Sequence, residues 1–354
     1  MTCEPLNLSG FPESRGRQQA EFSPHAISAV CAMVQKRLAA ATGLLDRVET
    51  QLYLDDQWAF LNRYAPAHVA ETEGLAAGYG VSAREIFTYL HLGILYNRLA
   101  AQDGCSTLAA THSEVGAFVA KNRDYGGDHR DLQRVFFHSD PASPSKQCLF
   151  VGSLGSPGAF SSGMNSAGLA LVDTRVDWPV PGIGWLRYYL MTEILWRANT
   201  VDEAVALIES VPHAGGGSLA LADASGAIAS VEFGHPGADV QTSREGTFVH
   251  TNHYFANPEW RAIGQDPNSR SRRNSEARLK VLQAASARQT KQTTLQEVVD
   301  LFSSHAGGDA SLCRHAEDGE QGTISAVIFC CETRELHFLD GPPCQNAVRR
   351  LRFQ

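Results

Sequence analysis

At Cys105 the chain changes texture, with helical periodicity before it and short strand-like runs after it, and this switch constrains the fold more than any other feature. Upstream, Ile27, Val30, Met33, Val34, Leu38, Leu44 and Leu45 recur at steps of three and four, which gathers apolar side chains on one helix face. Ser82 and Glu85 form a capping-box pattern ahead of a helix predicted over 86–95. Downstream, apolar runs at 106–110, 115–120, 147–151 and 168–172 are separated by Gly, Asp, Ser and Pro and read as strands. Helical patterns return at 185–197 and at 201–211, the second opened by Thr200 and Glu203 as another capping box. Two hairpins follow: 219–222 with 227–233 across Asp223-Ala224-Ser225-Gly226, and 323–329 with 335–339 across Glu332-Thr333. Between them lie a loop at 257–271 and helices predicted near 274–287 and 294–302. Strands interleaved with helix pairs, and no GxGxxG or GxxxxGKS phosphate signature, predict an α+β layered fold. The pattern leaves the number of sheets open.

Composition excludes several classes. Of 354 residues, 43% are hydrophobic and 19% charged, enough apolar surface for a substantial core and too much for disorder. Lys and Arg number 30 against 38 Asp and Glu, giving −8, and the only dense basic cluster, 270–273, is short, so no nucleic-acid partner is expected. No stretch approaches the ~18 apolar residues needed to cross a bilayer, and residues 1–10 lack the basic start and apolar run of a signal peptide. The expectation is a soluble, cytoplasmic protein with no membrane partner. The eight cysteines stand at 3, 31, 105, 148, 313, 330, 331 and 344, and no pair has the two-residue separation of a zinc or redox motif. Scaffold disulfides, a metal site and a cofactor are therefore not expected; Cys313 with His315, and Cys330-Cys331, read as packing residues like most of the others.

Cys105 is the exception. In Asp103-Gly104-Cys105-Ser106-Thr107, Gly104 removes the steric bar to an unusual backbone conformation directly before a thiol, as a scissile, strained peptide bond requires; a turn glycine before a buried cysteine is the competing explanation. Lys121-Asn122-Arg123-Asp124 ends the second strand, and the nineteen residues from Cys105 to Asp124 are a separation that a hairpin closes, bringing a carboxylate near the thiol where it could orient an α-ammonium. Gly163-Met164-Asn165-Ser166-Ala167-Gly168 reads as a turn carrying one Asn, and His250-Thr251-Asn252-His253-Tyr254 presents another at a strand end. Side-chain amides can serve as oxyanion donors, although a turn Asn more often satisfies its own backbone.

These pieces, together with Ser269-Arg270-Ser271-Arg272, Cys313-Arg314-His315, Gly341-Pro342-Pro343-Cys344 and the opening Gly10-Phe11-Pro12-Glu13-Ser14-Arg15-Gly16, occur in the order found in one family. Over about residues 6–350 the chain resembles the acyl-coenzyme A:6-aminopenicillanic acid acyltransferase-like family, which also contains amino-acid-conjugate amide hydrolases such as the insect β-alanyl-dopamine hydrolase. The resemblance implies an N-terminal nucleophile hydrolase: one four-layer αββα sandwich, made as a precursor that cuts itself between Gly104 and Cys105. Residues 1–104 would form the N-terminal helical fragment and 105–354 the catalytic one, paired as a heterodimer, with a higher oligomer left open. By the same resemblance Cys105 is the nucleophile, Asp124 orients its freed amine, Asn165 bonds to that amine or to the oxyanion, Asn252 holds the oxyanion, and Arg272, with Arg273 as the neighbouring alternative, anchors the network. Asn122, Lys121, Ser269 and His253 take substrate-binding or supporting places. Lys121 departs from the Arg that the related penicillin V and bile salt amidases carry there.

The implied chemistry stands on its own terms. A thiol with a pKa of about 8.5 needs a base, and a freed α-amine with a pKa of about 7.7–8.0 on the same residue can take its proton near neutral pH. The expected activity is hydrolysis of a small-molecule N-acyl or aminoacyl amide. An acyl-coenzyme A-dependent N-acyltransferase is the alternative, and a non-catalytic binding protein on the same fold is a third reading. A Cys-His pairing with His250 or His253 is the competing mechanism.

Overall fold

Every side chain of the segment Ser106–Ala110 is buried, as in a strand covered on both faces, and the architecture answers that demand. In the computed structural model, residues 4–22, 24–95, 104–111, 113–263, 269–288, 293–315 and 321–353 are described. Asp103 and residues 264–268 of the expected loop lie outside them. The chain begins with strand β1 (Leu6–Ser9) and helices α1 (Pro12–Glu21), α2 (Pro24–Ala40), α3 (Thr42–Leu45), α4 (Val48–Tyr64), α5 (Pro66–Tyr79) and α6 (Ala83–Leu95). Strands β2 (Ser106–Ala110), β3 (Phe118–Gly126), β4 (Gln133–Ser139), β5 (Gln147–Ser153), β6 (Ser162–Asn165) and β7 (Ala170–Thr174) precede helices α7 (Arg187–Arg197) and α8 (Val201–Glu209). Then come β8 (Gly217–Ala222), β9 (Ile228–Gly234), β10 (Gly237–Ser243) and β11 (Thr247–His250), helices α9 (Arg270–Ser286) and α10 (Leu295–Phe302), and strands β12 (Gln321–Cys330), β13 (Glu335–Leu339) and β14 (Arg349–Arg352).

Among the described residues two sheets result, an eight-stranded one in the order β1-β4-β5-β6-β7-β8-β9-β10 and a six-stranded one in the order β11-β2-β3-β12-β13-β14. Because side chains alternate along a strand, each sheet offers two apolar faces. Ala109, Val119, Val327 and Phe329 of the smaller sheet meet Val151, Met164, Val172 and Ala220 of the larger one. Their strand neighbours Leu108, Phe118 and Ile328 turn the other way, onto Leu282 of α9 and Val298 and Phe302 of α10. Phe136, Phe150, Leu171 and Leu219 cover the remaining face with the N-terminal helices and with α7 and α8. The layers run helix, sheet, sheet, helix. No helix of the described residues is long and apolar enough to cross a membrane.

The region before Cys105 is not purely helical. Strand β1 adds in parallel to β4, Leu6 opposite Phe136, so this region contributes an edge strand as well as a helical layer. Ser82 and Glu85 make both bonds of the capping box, Glu85 N to Ser82 Oγ at 3.1 Å and Ser82 N to Glu85 Oε2 at 2.7 Å. Thr200 makes half of one: its hydroxyl accepts from Glu203 N, but the Glu203 carboxylate bonds Asn199 N instead.

Among the buried histidines of the described residues are His91, His129, His138 and His213. Burial pushes His91 and His213 down to about 4, and His129 and His138 well below the usual imidazole value. Below about pH 6.5 each would take up a proton in the unfolded chain but not in the folded one, so folding stability declines as pH falls through that range. Melting temperature is therefore expected to be flat above about pH 7 and to drop progressively toward about pH 4.5. A melting temperature unchanged down to about pH 4.5 would contradict the neutral, buried state of these rings.

Candidate active site

Ser106 pairs with Asn122 across β2 and β3, so the residues just before β2 run beside the outgoing end of β3. There the buried Cys105 thiol lies 3.7 Å from the backbone oxygen of Asp124. The Asp124 carboxylate is also buried; Oδ1 accepts from the Thr323 hydroxyl at 2.7 Å, and Oδ2 lies 3.6 Å from Arg314 Nη1. Thr323 stands opposite Asp124 where β12 shifts register against β3. Its hydroxyl also accepts from Arg314 N at 2.9 Å. Gly104 sits against this pair, because a Cβ there would collide with the Arg314 guanidinium and the Asp124 carboxylate. Its backbone is not in the left-handed region, so the glycine is required for close approach and not for an unusual φ.

The second half of the site comes from α9, whose buried face is Ser275, Arg278, Leu279 and Leu282. The fully buried Arg278 donates from Nη1 to Cys105 O at 2.6 Å and to Ser106 Oγ at 3.0 Å, and from Nη2 to Asn252 Oδ1 at 2.9 Å. Asn274, one turn earlier, accepts from its Nε at 2.9 Å. The guanidinium thus ties the backbone of the candidate nucleophile to the Asn252 carboxamide. Asn252 is held further by N donating to Ser275 Oγ at 2.7 Å and by Nδ2 donating to Arg175 O at 3.0 Å. A carboxamide nitrogen carries two protons, and the second has no partner among the described residues.

His253 shares the Ser275 hydroxyl with Asn252, its Nδ1 lying 2.6 Å from Ser275 Oγ and 3.3 Å from Thr251 Oγ1. Burial first, and then the nearby Arg272, His250 and Arg278, push its pKa down to about 2. A ring held neutral and already bonded to Ser275 of α9 and to Thr251 is poorly suited to accept the Cys105 proton.

Three expected site residues make hydrogen bonds to groups other than Cys105. Arg272 turns to Glu276, Nε to Oε1 at 2.7 Å, and Arg278, two helical turns on, makes the network contacts expected of it. Asn165 belongs to β6, not to a turn alone. Its neighbour Met164 faces the inter-sheet core, so Asn165 points to the opposite side and donates to Leu195 O and Ala198 O at the end of α7. Its Oδ1 accepts from Ala167 N and Leu169 N, so the carboxamide is committed to backbone groups away from Cys105. Ser269 is the N-cap of α9, accepting from Arg272 N at 3.1 Å.

Asn122 and Lys121 support the frame. Asn122 Nδ2 donates to Phe302 O and Leu312 O, both at 2.8 Å, fastening α10 and the following loop to β3. Lys121 lies between the sheets, bonded to Ser161 and to Asp173, whose other oxygen accepts from Arg187 Nε at 2.6 Å. Burial works against the Asp173 charge, but Lys121 and Arg187 outweigh it and hold the carboxyl below its usual range. Beside this triad an open cleft is lined by Tyr125, Arg175, Val176, Leu186, Arg187 and Tyr188 among others. Tyr125 follows Asp124 and the Arg175 carbonyl holds Asn252, so the cleft abuts the site.

Residues 111–343 match a family of acyl-transferring enzymes. Its description is acyl-coenzyme A:6-aminopenicillanic acid acyl-transferase, and with well over half of the sequence inside the match the chain belongs to that family. The matched span holds Asp124, Asn252, Arg278 and Arg314 and begins just after Cys105. Solved structures similar to the chain include penicillin V acylase from Agrobacterium tumefaciens, at TM-score 0.46 and 17% identity over 70% of this chain and 86% of that one. A variant of the conjugated bile acid hydrolase from Clostridium perfringens aligns at TM-score 0.46 and 13% identity, over 71% of this chain and 97% of that one. No curated protein matches the sequence.

Proposed function

We propose that the chain is a self-processed cysteine hydrolase of the N-terminal nucleophile kind, which cleaves a small-molecule N-acyl or aminoacyl amide through a Cys105 acyl-enzyme. The observation that carries this reading is the joining of Cys105 to Asn252 through the buried Arg278, together with the Asp124 carboxylate packed against Gly104. Cleavage of the Gly104–Cys105 bond would create an α-amine beside Asp124, which orients it, and divides the chain into 1–104 and 105–354, held by their shared core. That amine takes the Cys105 proton as the sulfur attacks the substrate carbonyl. The free Nδ2 proton of Asn252 and a backbone N–H receive the oxyanion. Collapse breaks the C–N bond, with the α-amine passing the proton to the leaving nitrogen. Water then adds to the thioester, the same amine accepting its proton, and the acid departs as the thiol is restored.

Hydrolysis is preferred to transfer from coenzyme A on the placement of the arginine cluster. Arg272 pairs with Glu276 and Arg270 lies 3.9 Å from Asp309, so these cations face carboxylates of their own chain. A panel of N-acyl and N-aminoacyl amines, offered with and without acyl-coenzyme A, tests the reading. Release of free amine in buffer supports the amidase. Saturable, amine-dependent release of coenzyme A with negligible amide hydrolysis replaces it by the acyltransferase. Within the amidase, loss of one oxyanion donor costs roughly 10²- to 10³-fold in turnover, so Asn252→Ala is expected to lower kcat by about that factor with the fold intact. A near-normal kcat in that variant removes Asn252 from the site.

A further inference from the structure

Outside the Cys105 site, one cluster of nucleophilic and metal-ligating side chains stands out among the described residues. His305 follows α10, Cys313 and His315 lie on the way to β12, and Cys344 follows β13, yet one donor atom from each falls within 4.8 Å of all the others. Cys313 Sγ is 3.5 Å from Cys344 Sγ, and Cys344 Sγ is 3.3 Å from His315 Nε2. The imidazoles of His305 and His315 stack with centroids 5.0 Å apart. Four-coordinate zinc, with bonds of about 2.3 Å to sulfur and about 2.0–2.1 Å to nitrogen, sets its ligands roughly 3.3–3.8 Å apart, the scale of the two measured separations. Three of the four residues are exposed, which gives an ion a route in.

We propose that His305, Cys313, His315 and Cys344 form a binding site for a thiophilic divalent cation, zinc being the one whose chemistry fits two thiolates and two imidazoles. Binding releases two thiol protons to solvent, so the thiolate charges balance the cation. The position of the site gives it a consequence. Arg314 stands between two of the ligands, its guanidinium 3.6 Å from Asp124 and its backbone bonded to Thr323, which itself donates to Asp124. A bound cation therefore pins Arg314 beside Gly104 and Asp124. This consequence, unlike the site itself, rests on the proposed role of Cys105.

Zinc content of the full chain, purified under reductant and measured by mass spectrometry of the metal, is expected to be one per chain. Chelator-stripped, reduced protein titrated with Co²⁺ is expected to develop the thiolate-to-cobalt charge-transfer band and the visible bands of a tetrahedral site. Cys344→Ser and His315→Ala should lose them, and Cys105→Ala should keep them. If stripped wild-type protein that retains its circular dichroism shows no thiolate–cobalt spectrum, the site is overturned. It is overturned equally if the metal-free protein carries Cys313 and Cys344 as a disulfide that reduction does not convert to a cobalt-binding form. The spectrum is read without any substrate, so failure here is separate from failure of the amidase reading. Amide turnover that is unchanged between stripped and zinc-loaded enzyme, with the cobalt spectrum present, overturns the coupling to Arg314.

Discussion

Cys105→Ala is expected to remain one uncut chain and to lose amide turnover by about 10⁴-fold or more, because a single residue supplies the sulfur, the new amine and the bond that must break to free it. The fold should survive, since Ala adds no bulk at this buried position and gives up a thiol contact to the Asp124 backbone oxygen as long as 3.7 Å. Both losses come together in this account. A variant that still splits after Gly104, or one that stays whole yet turns over substrate, separates them and contradicts it. Gel migration under denaturing conditions and release of free amine are the two readouts.

Arg278 carries the second large effect. Removing its guanidinium in Arg278→Ala takes one buried donor from each of Cys105 O, Ser106 Oγ and Asn252 Oδ1. An unsatisfied buried polar group costs about 1–3 kcal/mol, so this variant should melt well below the wild type. Arg278→Lys separates the catalytic consequence from folding. It keeps a cation in place but lacks the planar fork that reaches Cys105 and Asn252 together. Its kcat is expected to fall by about 10²-fold while KM changes little, because a positioning residue of the oxyanion donor acts on the transition state and not on the bound substrate. A wild-type kcat in a folded Arg278→Lys enzyme would make Arg278 structural alone.

Much of the frame was legible because its signals are local. The Ser82–Glu85 box needs four consecutive residues, and the β2–β3 hairpin needs two apolar runs and a turn; that hairpin alone carries Asp124 to Cys105. Most of the strands missed by pattern are short or lie at edges, although β4, seven residues long and between β1 and β5, was missed too. β1 alternates over four residues, β10 is half-exposed along its length, and β14 is rich in Arg, so none shows a strong apolar period. Arg278 was hidden by its surroundings. The dense run Arg270 to Arg273 drew the expectation to Arg272, and the helix was started at 274 instead of 270. The available signal was position: Ser275, Arg278, Leu279 and Leu282 share one face, and an arginine on an apolar face must find partners inside. Asn165 misled for the opposite reason, since a Gly-x-Asn-x-x-Gly stretch suits an oxyanion donor and a strand-end turn alike, and only the direction set by Met164 decides between them. The His305, Cys313, His315 and Cys344 cluster assembles from three separate segments, which no linear spacing could reveal.

Intact mass and N-terminal sequencing of the purified wild-type protein test the central claim most directly. The account predicts two polypeptides that co-purify, one ending at Gly104 and the other beginning with Cys105 and continuing to Gln354. A single uncut chain that hydrolyses amides at full rate would contradict it, since Cys105 would then have no free α-amine to act as base.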